Sequence, residues 1–107
     1  MRIAQLNRRL TLQAPASVDD GAGGRDVTWT PVDAMWANVA VISGRESTDS
    51  EAITSRLTHR ITIRYRTGIG PHMRFTDGTR IYRIETVEEP GGHRRWLVCR
   101  CSQSPAL

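Results

Sequence analysis

Residues 59–66 read His-Arg-Ile-Thr-Ile-Arg-Tyr-Arg, an unbroken alternation of apolar and polar side chains. An extended strand points successive side chains to opposite faces. It puts Ile61, Ile63 and Tyr65 on one side and Arg60, Thr62, Arg64 and Arg66 on the other. A helix would spread the arginines around its circumference. The segment therefore requires a sheet with one buried face. It also leaves a second face of guanidinium groups to be explained.

The same period runs through most of the chain. Segment 8–14 places Leu10 and Leu12 together, and 27–33 carries Val27 and Trp29 in phase. Pro31 marks an edge or a strand end, because proline cannot donate to a ladder. Segment 34–43 puts Met35, Ala37, Val39 and Val41 on one face and Trp36 and Ile42 on the other. Segment 79–87 has Tyr82 and Ile84 on one face, with Ile81 and Val87 opposite. In 94–102, Leu97, Cys99 and Cys101 share a face and Trp96 and Val98 take the other. Turn signals separate these runs: Asp-Asp-Gly-Ala-Gly-Gly at 19–24, glycines within 67–71, Asp77-Gly78, and a Pro-Gly-Gly cluster within 88–93.

These patterns predict an all-β fold, a small antiparallel β-barrel or sandwich of about six strands with one long inserted loop or short helix. A chain of 107 residues is expected to be a single domain, 1–107. Its predicted core holds Leu12, Val39, Ile61, Ile63, Ile84 and Leu97. The exception to the β pattern is the polar stretch 43–57. Thr48 and Glu51 have the spacing of a capping box, and Ala52, Ile53 and Leu57 would then share a helical face. A short helix and a non-helical excursion both fit, and a loop this long in so small a domain points to function or disorder.

All 15 basic residues are arginine, and the net charge is +4. Arginine offers planar, multidentate contacts to phosphate and carboxylate. Cys99 and Cys101 lie too close along one strand for an unstrained disulfide. They lack the partners of a zinc site. Reduced, buried thiols are expected, as in a protein folded in the cytoplasm. The N-terminal residues lack the apolar run of a signal peptide, and no stretch reaches the ~20 apolar residues of a membrane span. No membrane association is expected. His59, His72 and His93 lack metal-ligand spacing, and no nucleotide-binding or nucleophile motif is present. No catalytic residue, metal or cofactor is expected, and the chain does not read as an enzyme.

The basic strand has three readings. It can be a nucleic-acid site, a solvated strand face, or a face that pairs with acidic neighbours in an assembly. Arg80 and Arg83 in one segment and Arg94, Arg95 and Arg100 in another would extend it if the three strands adjoin. Phosphate contacts could use such a face. An oligonucleotide-binding barrel would also want exposed aromatics for stacking, and only Tyr82 and Trp96 lie nearby.

The order of the segments carries more than any one of them. Leu-Asn-Arg-Arg-Leu-Thr-Leu-Gln at 6–13 leads to a glycine-rich turn and Trp29. Trp-Ala-Asn-Val then runs into Ser-Gly-Arg-Glu within 36–46. The basic strand comes next, then Met-Arg-Phe with Asp-Gly-Thr-Arg-Ile-Tyr-Arg-Ile at 73–84, and a last strand with Arg-Arg-Trp-Leu-Val-Cys-Arg-Cys at 94–101. In this order and spacing, over nearly the whole chain, the sequence resembles the head–tail joining proteins of tailed bacteriophages. These are also called head-closure or stopper proteins, and gene transfer agents and prophages carry similar ones.

The resemblance implies a small β-barrel that assembles as a homo-oligomeric ring in the virion neck. Its partners would be a portal-bound adaptor on one side and a tail-terminator or tail tube protein on the other, with packaged double-stranded DNA in the channel. The family's functional loop maps onto 43–57. That makes Gly44, Arg45, Glu46, Asp49, Glu51 and Arg56 the candidate assembly loop, expected to order on assembly. Arg60, Arg64, Arg66 and Arg83 form the candidate basic face for subunit or DNA contact. Acidic counterparts are Asp19, Asp20, Glu46, Asp49 and Glu51. A free nucleic-acid-binding barrel and a tail-terminator-type ring subunit are the competing readings.

Overall fold

The computed structural model describes residues 2–19, 21–42 and 57–105. The expected loop or helix at 43–57 lies, from 43 to 56, outside the described residues, and with it Gly44, Arg45, Glu46, Asp49, Glu51 and Arg56. Among the described residues six antiparallel strands form the fold: β1 (Arg8–Asp19), β2 (Arg25–Val41), β3 (His59–Arg64), β4 (Arg74–Thr76), β5 (Arg80–Glu88) and β6 (Trp96–Pro105). Their order is β1-β2-β3-β6-β5-β4, and β4 pairs back onto β1 to close the sheet. Closure satisfies the strand edges that an open sheet would leave bare.

The basic strand sits where its alternation requires. Ile61 lies opposite Val39 on β2 and Cys99 on β6; Ile63 lies opposite Ala37 and Leu97. Directly paired residues share a face, so these side chains all turn inward. Leu10, Leu12, Phe75, Tyr82, Ile84 and Cys101 complete the interior. Each large side chain so buried stabilises the fold by roughly 1.5–3 kcal/mol before entropy is counted. Leu12, Ile61, Ile63, Ile84 and Leu97 are buried as expected, whereas Val39 is only partly covered at the cluster's margin. Val41, in phase with it, ends the strand largely exposed.

Two bulges depart from the sequence reading. Segments 27–33 and 34–43 are one strand, not two. Leu12 pairs with Asp33 and Gln13 with Pro31, so Val32 is the extra residue of a bulge. The bulge accommodates a proline that cannot complete the ladder. The sixth strand is instead the short β4, whose three residues are too few for a periodic signal. The second bulge falls between Ile84 and Thr86 and leaves Glu85 unpaired. The phase slips there, so Val87 faces inward opposite Cys99 and packs on the core rather than on the outer face.

β1 meets β4 only through 11–13, and β2 meets β3 only through 37–41. Among the described residues the strand segments 14–19 and 25–30 therefore have only each other as ladder partners. They form a two-stranded arm that extends about 20 Å past the barrel. The molecule measures 48 × 31 × 27 Å as a result.

Candidate assembly surfaces

β3, β6 and β5 are neighbours, as a shared basic face requires. Arg60 lies directly opposite Arg100, and Arg100 opposite Thr86. Arg83 lies opposite Ser102 on one side and Arg74 on the other. Like charges in register concentrate positive potential on this wall. The wall is not purely basic. Arg100 Nε donates to Glu88 at 3.2 Å, and Ser102 Oγ donates to Glu85 at 3.0 Å.

The structure separates the four predicted basic residues. Arg60 and Arg83 share the wall. Arg64 ends β3 opposite Trp96. Arg66 lies beyond the strand, and its guanidinium bonds Asp33 at 2.8 Å. The chain leaves the sheet at Tyr65, whose N–H donates to the Arg95 carbonyl at 2.9 Å, so the alternation that placed Arg66 no longer applies.

Another arginine, not among the four predicted, organises the base of the arm. Arg74 Nε donates to Gln13 Oε1 at 2.6 Å, and its guanidinium stacks 4.1 Å from the centroid of the Trp29 ring. Burial and then the nearby Arg83 charge lower its pKa from the usual value. No sequence spacing links Arg74 to Trp29; only the closure of β4 onto β1 brings them together.

An open groove of about 650 Å³ runs beside β2 where that strand outruns β3. Ile3, Leu6, Met35, Trp36, Ile63 and Tyr65 supply its apolar lining, with Arg64 and Arg66 on its rim. A 3₁₀ turn, Ile3–Gln5, brings Ile3 to this place, and Asn38 Nδ2 holds it by donating to the Gln5 carbonyl at 3.0 Å. Ile3 is 60% and Trp36 52% exposed. An adjoining hollow shares Ile3, Arg64 and Tyr65 and adds Arg94 and Arg95. Trp36 was readable as the outward aromatic of its strand; the distant Ile3 and Tyr65 were not.

At one end of the barrel the His59 ring packs edge-on against Tyr82, centroids 5.2 Å apart, and its Nδ1 lies 2.9 Å from Thr58 Oγ1. Burial, then Arg80 and Arg8, lower its pKa. Among the described residues no cluster of three or more His, Cys, Asp or Glu could hold a metal ion. No helix of the described residues is long and apolar enough to cross a membrane.

A small closed barrel with a projecting arm, a basic wall and an exposed apolar groove is a protein built around its surfaces. The model of the phage head completion protein family matches residues 1–104, and the chain belongs to that family. A chain in the virion of a native gene transfer agent particle is similar at 30% identity, with a TM-score of 0.68 and 94% of each chain covered. Protein SF1141 from Shigella flexneri 2a, solved in solution, is similar at 30% identity, with a TM-score of 0.76 and 97% of each chain covered. Among curated proteins no sequence matches the chain. The resemblance read from the order of the segments thus holds, and the protein has a structural role in the head and tail of a phage-type particle.

Proposed function

We propose that the protein is a ring-forming connector of the neck. It would sit between the portal-bound adaptor and the tail, close the head after DNA packaging, and join it to a tail-terminator or tail tube protein. It would carry out no catalysis. The observation that supports this reading is the likeness to a chain of a gene transfer agent virion, which covers 94% of each chain. The loop residues Gly44, Arg45, Glu46, Asp49, Glu51 and Arg56 would make contacts within the ring. Arg60, Arg64 and Arg83 would face a neighbouring subunit or the DNA channel, with Arg66 serving the groove through its bond to Asp33.

Imaging of particles made with and without the protein tests the reading. Particles lacking it should fill with DNA, leak it and carry no tails, and intact particles should show the protein as a ring at the neck. Empty, unexpanded heads in its absence would instead place it at an earlier step, with the portal or scaffold.

A further inference from the structure

The groove beside β2 leaves two large apolar side chains, Ile3 and Trp36, open at the surface, with Met35 and Tyr65 also in its wall. Exposed apolar surface gathered in one place marks an interaction site. The adjoining hollow continues the groove past Tyr65 and is lined by Arg64, Arg94, Arg95 and Trp96. Among the described residues none of these three arginines forms an ion pair. The groove's own carboxylate is engaged elsewhere. Asp33 Oδ1 accepts from the Ala34 N–H and Oδ2 from the Arg66 guanidinium, both at 2.8 Å.

Arg94 is held in an uncommon conformation. Its φ is +53°, in the left-handed region that a residue with a Cβ rarely adopts. Its N–H donates to Glu89 Oε2 at 2.8 Å, which fixes the backbone there. Backbone strain of this kind gathers at sites of interaction. Three guanidinium groups beside Tyr65 and Trp96 match carboxylates flanked by apolar side chains. Duplex DNA would meet the arginines through its phosphates and leave Ile3, Met35 and Trp36 uncovered. A second copy of this chain carries a net charge of +4 and is repelled at long range.

We propose that the groove and the hollow together hold an extended segment of a different virion protein, one carrying a large apolar side chain beside two or more carboxylates. The apolar side chain covers Ile3 and Trp36, and the carboxylates pair with Arg64, Arg94 and Arg95. Apolar burial supplies affinity, and the unlike charges fix direction and exclude wrong partners. In the particle Arg64 then meets a partner's carboxylate rather than DNA. Such a contact needs only a place in the particle and does not depend on the ring.

The test uses particles that contain Trp36→p-benzoylphenylalanine, a photo-crosslinker that replaces one large aromatic by another. Irradiation should join position 36 to a different virion protein. Mass spectrometry should locate the joint in a segment with a large apolar residue and at least two Asp or Glu. A synthetic peptide of that segment should bind the free protein. Arg64→Gln/Arg95→Gln should weaken that binding at least tenfold, and Arg83→Gln on the basic wall should leave it unchanged. A joint to another copy of this chain, to its own residues 43–56, to DNA or to a segment without carboxylates overturns the contact, as does the absence of any joint. Equal weakening by Arg83→Gln reduces the effect to overall charge and overturns it too. Should the substituted protein not enter particles, a charge reversal decides. Arg64→Glu/Arg95→Glu should keep the urea midpoint of the unsubstituted protein and lower incorporation at least tenfold; normal incorporation overturns the contact. A joint to the expected segment in particles whose necks show no ring would uphold this contact and sink the connector reading.

Discussion

The guanidinium of Arg74 lies 4.1 Å from the centroid of the Trp29 ring, and that stacking joins the base of the arm to the short strand that closes the barrel. A cation over an aromatic ring near the surface contributes about 0.5–1 kcal/mol. Arg74→Met should lower stability by about that much. Its clearer effect should be faster amide hydrogen exchange at 16–17 and 27–29, with Ile61 and Ile63 unchanged. Equal acceleration throughout the barrel would show that Arg74 supports the closing seam and not the arm.

The interior gives a graded expectation. Ile63 is 1% exposed between Ala37 and Leu97, so Ile63→Ala leaves a cavity the barrel cannot easily fill. A loss of roughly 2–4 kcal/mol is expected in urea denaturation. Val39 sits at the core's margin, and Val39→Ala should cost nearer ~1 kcal/mol. Equal costs would mean that the two sites are equally enclosed.

What the sequence revealed and what it hid divide along the chain's two bulges. β3 and the first half of β6 pair without interruption, so the inward phase of Ile61, Ile63, Leu97, Cys99 and Cys101 could be read from alternation alone. Val32 and Glu85 each insert one residue and slip the phase, which no period-2 pattern predicts. Val87 was misplaced for that reason. Pro31 looked like a strand end because a bulge and a terminus have the same signature. Arg60 and Arg83 lie on one wall because β3, β6 and β5 adjoin. The groove was hidden because Ile3, Trp36 and Tyr65 meet only through the pairing of β2 with β3 and the Asn38–Gln5 bond.

The two thiols should be inert in the native protein. Burial pushes the Cys99 thiol up to about 12. Burial, then Cys99 and Glu85, push Cys101 higher still. The thiolate is the reactive form, so neither should react with iodoacetamide or an aromatic disulfide reagent near pH 8. Both should react in denaturant. Fast labelling of either in the native state would mean that the β5–β6 interior opens readily.

His59 should make stability depend on pH near neutrality. Its folded pKa is lowered from 6.5 by burial, then by Arg80 and Arg8, with Tyr82 and Thr58 as its other near contacts. Below the unfolded value the unfolded chain takes up a proton that the folded chain resists. The contribution is therefore fully present above about pH 6.5 and is lost as pH falls toward the folded value. Urea midpoints measured from pH 7.5 to 5 should decline, and His59→Gln should flatten that decline. An unchanged slope in the variant would assign the dependence to other groups.

Free protein should bind duplex DNA weakly. Arg60 and Arg83 lie on the wall and Arg64 on the groove rim, Arg60 already has an interaction within the chain, and Arg100 is shared with Glu88. One copy can therefore neutralise at most about three phosphates through these positions, which predicts a salt slope no steeper than about −3. Affinity should fall in the nonspecific range, roughly 10⁻⁴–10⁻⁶ M at physiological salt. Arg60→Gln and Arg83→Gln should each reduce the salt slope by about one, uniformly across DNA sequences. A ring would multiply such contacts around one DNA without improving any of them, so affinity should belong to the assembly and not to the subunit. Fluorescence anisotropy with a short duplex measures both quantities. Nanomolar binding by the monomer would favour a free nucleic-acid-binding barrel over a connector, because that strength requires a complete site on a single chain.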